Sequence, residues 1–166
     1  MKIEVRGLDR VLKKLRLYES SLKSKQRELL ERLSEIGIRT ASVRFSQAQY
    51  DGENDVVVSS SPEWIDENRL FLTASGKTVL FIEFGSGAKY GYGHPLGESM
   101  GYVPGSWSDN EEKGGKHHWQ DENGWYYEHG KISHGNPPAR AMYDAAKEMR
   151  ADILRIAKEV YGSDRH

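Results

Sequence analysis

Glu83 is the acidic side chain best placed to do chemistry: it stands between Ile82 and Phe84 in an apolar run and is followed at once by Gly85-Ser86-Gly87. A carboxylate at the edge of a core can act as a general base if a matched nucleophile or second acid lies within hydrogen-bond reach. The sequence around Glu83 supplies neither. The carboxylate can instead accept hydrogen bonds from loop backbone amides or from a basic side chain, with Arg140 one candidate, because an unpaired buried charge is costly. A third placement, facing water at a strand end, asks nothing of its neighbours. The histidines form a second set, with His94, His117, His118, His129 and His134 in one glycine-rich region. Adjacent His117 and His118 would point to opposite faces of a strand, and the sequence has no His-Glu-x-x-His helix. The glycines match neither a dinucleotide fingerprint nor a phosphate loop, since the spacings and the Lys-Ser/Thr pair are missing. These residues designate no catalytic, cofactor or metal position. A metal- or carboxylate-dependent hydrolase using Glu83 and the loop histidines is the alternative.

At 166 residues the chain suits a single domain, which at this size buries roughly two thirds of its unfolded surface. Hydrophobic residues make up 37% and charged residues 30%, polar for a globule, yet four Trp and nine Tyr supply anchors that a disordered polymer lacks. No apolar run approaches the ~20 residues of a membrane span, and the opening residues lack the apolar core of a secretion signal, so the expectation is a protein without membrane contact. The absence of cysteine excludes disulfides and fits a reducing cytosol.

Lys2 to Arg6 alternates like a half-buried strand ended by Gly7, and Asp9 can cap a helix carrying Leu8, Val11, Leu12 and Leu15. Glu19-Ser20-Ser21 reads as a break or bend. From Leu22 to Phe45 the apolar residues keep three-or-four spacing over a basic opposite face, which predicts one long amphipathic helix. Val56-Val57-Val58 and Arg69 to Ala74 read as pairing strands, and Thr78 to Phe84 as a short element, strand or helix, without a decisive period. Gly85 and Gly87 allow a sharp turn straight out of that element.

Residues 85–135 hold 12 of the 17 glycines, and regular periodicity is lost there. Lys116 to Gln120 and Trp125 to His129 flank Asn123-Gly124 as a hairpin. So long an irregular stretch is more than a connection, and its aromatic side chains suit a contact surface, with rigid anchors that bury large areas at low entropy cost. Stacking on single-stranded nucleic acid uses the same groups, but this segment lies in the acidic part of the chain. Asn136-Pro137-Pro138-Ala139 then reads as a helix start, with Asn136 as cap and Arg140 just inside a helix from about Pro138 to Tyr161.

The charge is uneven: residues 1–50 carry 12 basic and 6 acidic side chains, residues 51–130 carry 5 and 14, and residues 131–166 carry 7 and 5. Basic and acidic sections of this kind let neighbouring copies complement one another, or else form solvated faces. The fold class expected is α+β, with long N-terminal and C-terminal helices packed on a small mainly antiparallel sheet and a Gly/aromatic-rich insertion at 86–134.

Gly7-Leu8, the helix around Leu22 to Phe45, Phe81-Ile82-Glu83-Phe84-Gly85-Ser86-Gly87 and Pro138-Ala139-Arg140 before a final helix together resemble the tail-completion or head–tail joining (neck) proteins of long-tailed phages. Gly93-His94-Pro95-Leu96 and Trp125-Tyr126-Tyr127 are similar to an extended loop in some branches. Ala141-Met142 stands where the family often has proline and phenylalanine, and Ser86 where it has threonine, which marks a divergent branch. The resemblance implies a virion structural protein, not an enzyme, that forms a homo-oligomeric ring, a hexamer, at the head–tail junction or tail top. It is assembled in the bacterial host cytoplasm, from a free phage or a prophage. Implied partners are connector, tail-terminator or tail-tube proteins, with genomic DNA passing through the lumen without sequence-specific binding. Glu83, Phe84, Gly85, Gly87, Pro138, Ala139 and Arg140 are then the structural motif. Tyr90, Tyr92, Tyr102, Trp107, Trp119, Trp125 and Tyr126 would form the assembly surface.

Overall fold

The structure, a computed structural model, describes residues 8–50, 52–60, 69–87, 90, 93–102, 125–127 and 131–162. The strand expected at Lys2 to Arg6 lies outside these. Helix α1 runs unbroken over Leu8–Ser46, so the break expected at Glu19-Ser20-Ser21 is absent. Two serines cost a helix only about 1 kcal/mol in propensity, and Glu19 and Lys23 form an i,i+4 ion pair at 3.4 Å across them.

Strand β1 (Val57–Ser60) pairs antiparallel with β2 (Leu72–Ser75), Val58 opposite Ala74. Both begin one to three residues later than the β-branched density suggested. Val58, Leu72 and Ala74 face a core of Ala41, Phe45, Ile82, Ala141 and Ala145. Helix α2 (Val79–Phe84) resolves the ambiguous run as a helix. A further hairpin joins β3 (Trp125–Tyr127) to β4 (Lys131–Ser133), Tyr126 opposite Ile132. Trp125 to Tyr127 pairs forward with Lys131 to Ser133, while the pairing expected with Lys116 to Gln120 lies outside the described residues along with the Asn123-Gly124 turn.

Helix α3 (Ala141–Gly162) lies antiparallel along α1: Arg44 meets Asp144 at 3.1 Å, Thr40 donates to Glu148 at 2.6 Å, and Arg32 reaches Glu159 at 3.2 Å. Ile156 and Val160 close the far end against Ile36, Leu29 and Leu33. Gly37 allows this close packing, since a methyl there would lie 2.7 Å from the Met149 sulfur and 2.8 Å from Leu72. The result is the α+β class, two long helices on a small antiparallel sheet. Among the described residues no helix is long and apolar enough to cross a membrane.

Asp55 ties the sheet to α2. Its Oδ2 accepts from the Lys77 amide at 2.7 Å, and its Oδ1 from the Thr78 amide at 3.1 Å and from the Thr78 hydroxyl. The Thr78 hydroxyl, then the two amides, holds the Asp55 carboxyl at about 2, below its ordinary 3.8. A lowered carboxyl contributes stability that is complete above the ordinary value and lost as pH falls through the folded one. Asp55→Ala is thus expected to lower the urea midpoint at neutral pH, with the gap to wild type closing between about 3.8 and about 2. A gap independent of pH would contradict this.

Candidate functional site: a carboxylate lock between two helix ends

Every helix leaves its first amides and last carbonyls without partners inside the helix. Helices α2 and α3 meet end to end: the chain leading into α3 satisfies the end of α2, and Glu83 of α2 satisfies the start of α3. At the end of α2, the Phe81 carbonyl accepts from the Asn136 side-chain amide at 2.9 Å. The Ile82 carbonyl accepts from the Ala139 amide at 2.8 Å, and the Glu83 carbonyl from the Arg140 amide at 3.2 Å. In return the Glu83 carboxylate covers the start of α3, with Oε2 accepting from the Met142 amide at 3.0 Å and Oε1 from the Tyr143 amide at 3.1 Å. A negative charge here also faces the positive end of the α3 dipole.

Glu83 is buried, and so is the third group that reaches it, His94, whose Nε2 lies 3.2 Å from Glu83 Oε1. The Leu96 amide donates to His94 Nδ1 at 3.1 Å, so that nitrogen carries no proton and the ring N–H at Nε2 points to the carboxylate. The imidazole is held by Phe84, centroids 4.3 Å apart, and by the edge of Tyr143 at 5.8 Å. Tyr102 stacks against Phe84, centroids 4.2 Å apart. Glu83 thus has three donors, the pairing that a buried carboxylate requires.

Beyond the lock the chain turns at Gly85 (φ 78°) and forms a two-way bridge, with the Ser86 amide donating to the Asn136 carbonyl at 3.0 Å and the Asn136 amide to the Ser86 carbonyl at 3.2 Å. The Ser86 hydroxyl also hydrogen-bonds the Asn136 side chain. A side chain at Gly85 would meet the Asn136 carbonyl and the Pro138 nitrogen at 2.8 Å, so backbone packing demands glycine there.

The expectation that Glu83 accepts from backbone amides holds, although the donors belong to α3, and the basic side chain that joins them is His94 and not the candidate Arg140. The Arg140 side chain is exposed, and only its backbone contributes. Arg140 sits at φ 53°, a left-handed conformation unusual for a side chain larger than Asn, and it swings the chain from the α2 carbonyls into α3. Pro138 and Ala139 consequently precede the helix, which starts at Ala141 and not at Pro138. Asn136 does not cap α3 either, because its side chain serves α2. His94, one of the histidines singled out in the sequence, is brought to Glu83 by the fold, a pairing that spacing did not specify. The signal for that pairing is the need of a buried carboxylate for a further donor.

Of the aromatic residues expected at the assembly surface, Tyr90 and Tyr102 are half-buried. Trp125 and Tyr126 lie in β3. Tyr92, Trp107 and Trp119 lie outside the described residues, as do His117, His118 and His129. His134 is exposed. A groove of about 260 Å³ lies elsewhere, between the end of α1 and β1, lined by Ser42, Phe45, Ser46, Asn54, Val56 and Val58 and including neither Glu83 nor His94. Among the described residues no three His, Asp or Glu side chains are grouped to hold a metal. Comparison of the chain with protein-family models, curated proteins and solved structures gave no match.

Proposed function

We propose that this chain is a virion structural protein of a long-tailed phage, acting in tail completion or head–tail joining as one subunit of a ring. The observation that carries the reading is the lock itself. Two of the segments on which the resemblance rests, Phe81 to Gly87 and Pro138 to Arg140 with its following helix, are built as complementary halves of one buried connection. Both oxygens of Glu83 are committed to α3 amides and one of them also to His94, so in this arrangement the carboxylate organises a platform. That platform anchors both ends of the segment rich in Trp, Tyr and Gly, whose composition suits gripping neighbouring subunits or connector, terminator and tube proteins. The excess of acidic residues over 51–130 suits a position near passing DNA, since a surface with few cations releases few counterions and does not hold the duplex.

Disrupting the gene in the phage or prophage that carries it tests the reading. Electron microscopy should then show DNA-filled heads and separate tails, with infectious particles lost and restored by the gene in trans. An undiminished yield of joined, infectious particles would overturn it.

A further inference from the structure

His94 joins two parts of the molecule through the two nitrogens of a neutral ring. Its Nε2–H donates to Glu83 Oε1 at 3.2 Å, and its Nδ1 accepts from the Leu96 amide at 3.1 Å. The second bond fastens a turn. The Gly97 amide donates to the His94 carbonyl at 3.1 Å, the Met100 amide to the Leu96 carbonyl at 3.0 Å and the Tyr102 amide to the Gly97 carbonyl at 2.8 Å. These bonds return the chain so that Tyr102 stacks on Phe84. A second proton on the ring has one place to go, because Nε2 already carries the first. That place is Nδ1, at which an amide N–H points. An imidazolium is a donor at both nitrogens, so Nδ1–H and the Leu96 N–H would then oppose each other.

The two sides of the ring answer a proton in opposite ways. The titratable groups that face it are Glu83 of α2 and Tyr143 of α3, with Tyr102 of the turn beyond Phe84, and Glu83 is the one carboxylate among them. A cation at His94 makes the Glu83 contact an ion pair in a buried setting, where attraction between charges is strongest. Leu96, by contrast, is 43% exposed. Its amide, once released, meets water, and exchanging one hydrogen bond for a hydrated amide costs little. The turn yields and the carboxylate holds. We propose that His94 is a proton-operated latch: uptake of a proton at Nδ1 releases the turn at 94–102 from the ring, while Glu83 stays bonded to His94 and to the Met142 and Tyr143 amides. Release lets Tyr102 leave Phe84 and uncovers an apolar ring that is buried when the latch is closed. Imidazole is the side chain that ordinarily changes charge between about pH 5 and 8, which sets the range to search. The latch depends on the geometry around Glu83 and not on the virion role.

Nuclear magnetic resonance of the purified full-length chain, following imidazole nitrogens and backbone amides from about pH 8 to about pH 5, tests the proposal. At the upper end the His94 ring should be the Nε2–H tautomer. As the second proton binds, the protection factors of the Leu96 and Tyr102 amides against hydrogen exchange should fall roughly tenfold, the scale of one lost hydrogen bond. Those of Met142 and Tyr143 should not fall. In His94→Gln the side-chain amide can donate to Glu83 and accept from Leu96 without titrating, so protection at Leu96 and Tyr102 should stay constant across the range. Five results would overturn the latch: an Nδ1–H tautomer at the upper end, a ring that takes no second proton by about pH 5, a second proton bound with Leu96 still protected, protection lost at Met142 and Tyr143 in step with Leu96, or the wild-type pH dependence persisting in His94→Gln. Should His94→Gln fail to fold, the wild-type titration decides alone. The phage-disruption experiment decides the virion role separately.

Discussion

Glu83→Ala is expected to lower the unfolding free energy by about 3 kcal/mol, read from urea denaturation, out of a total that for domains of this size is about 5–15 kcal/mol. The substitution strips the acceptor from the Met142 and Tyr143 amides and from the His94 ring N–H, all at 3.0–3.2 Å. Loss of a helix cap alone costs about 1 kcal/mol, and orphaning buried donors that had bonded a charged group adds about 1–3 kcal/mol. Glu83→Gln should fall between the two, because its amide nitrogen turns a second donor toward donors already there. Hydrogen exchange should report the loss first in the opening turn of α3. An unchanged denaturation midpoint in Glu83→Ala would remove the lock as a source of stability.

The second large effect is expected at Gly135, which has φ 85° and whose added methyl group would overlap the Ser86 carbonyl. That carbonyl is a backbone atom held in the two-way bridge with Asn136, so relief requires breaking the bridge. Gly135→Ala should cost about 2–4 kcal/mol, the range of substitutions that combine a left-handed backbone with a backbone clash. Gly101→Ala is the matched control, because Gly101 has φ 78° but its added methyl would have nothing within 4 Å. It should lose only about 1 kcal/mol from the backbone angle. Equal losses in the two variants would show that backbone angle, and not the bridge, governs Gly135.

Much of this architecture could be read from the residues. Leu29, Leu33 and Ile36 announced the packed part of α1, and Ala145, Ile156 and Val160 that of α3, because long periodic stretches report burial directly. The apolar company of Glu83 also announced that it would accept hydrogen bonds. Partner identity was not legible. An acceptor does not specify its donor, and the charge of Arg140 suggested a side chain where the fold uses amides 59 and 60 residues away. Asn136 and Pro138 read locally as a helix start because cap chemistry is local. The carbonyls at the end of α2 claim that segment for themselves, and such competition becomes visible only once the two elements meet. Gly37 shows the same limit, since helix propensity counts it as a cost of about 1 kcal/mol while packing against Met149 and Leu72 requires it.

The Ser86–Asn136 bridge has a consequence for how this chain can vary. Because the segment leaves and returns at two hydrogen-bonded residues, the entropy of closing it depends on its length only logarithmically, and doubling it would cost just about 0.6 kcal/mol. Apart from His94, Tyr102 and Gly135, which contact the lock and the bridge, the length of chain between those two residues therefore weighs little on the stability of the rest. The fold works as a socket in which peptides of different size can be exchanged, by evolution or by grafting, while the helices beneath keep their positions.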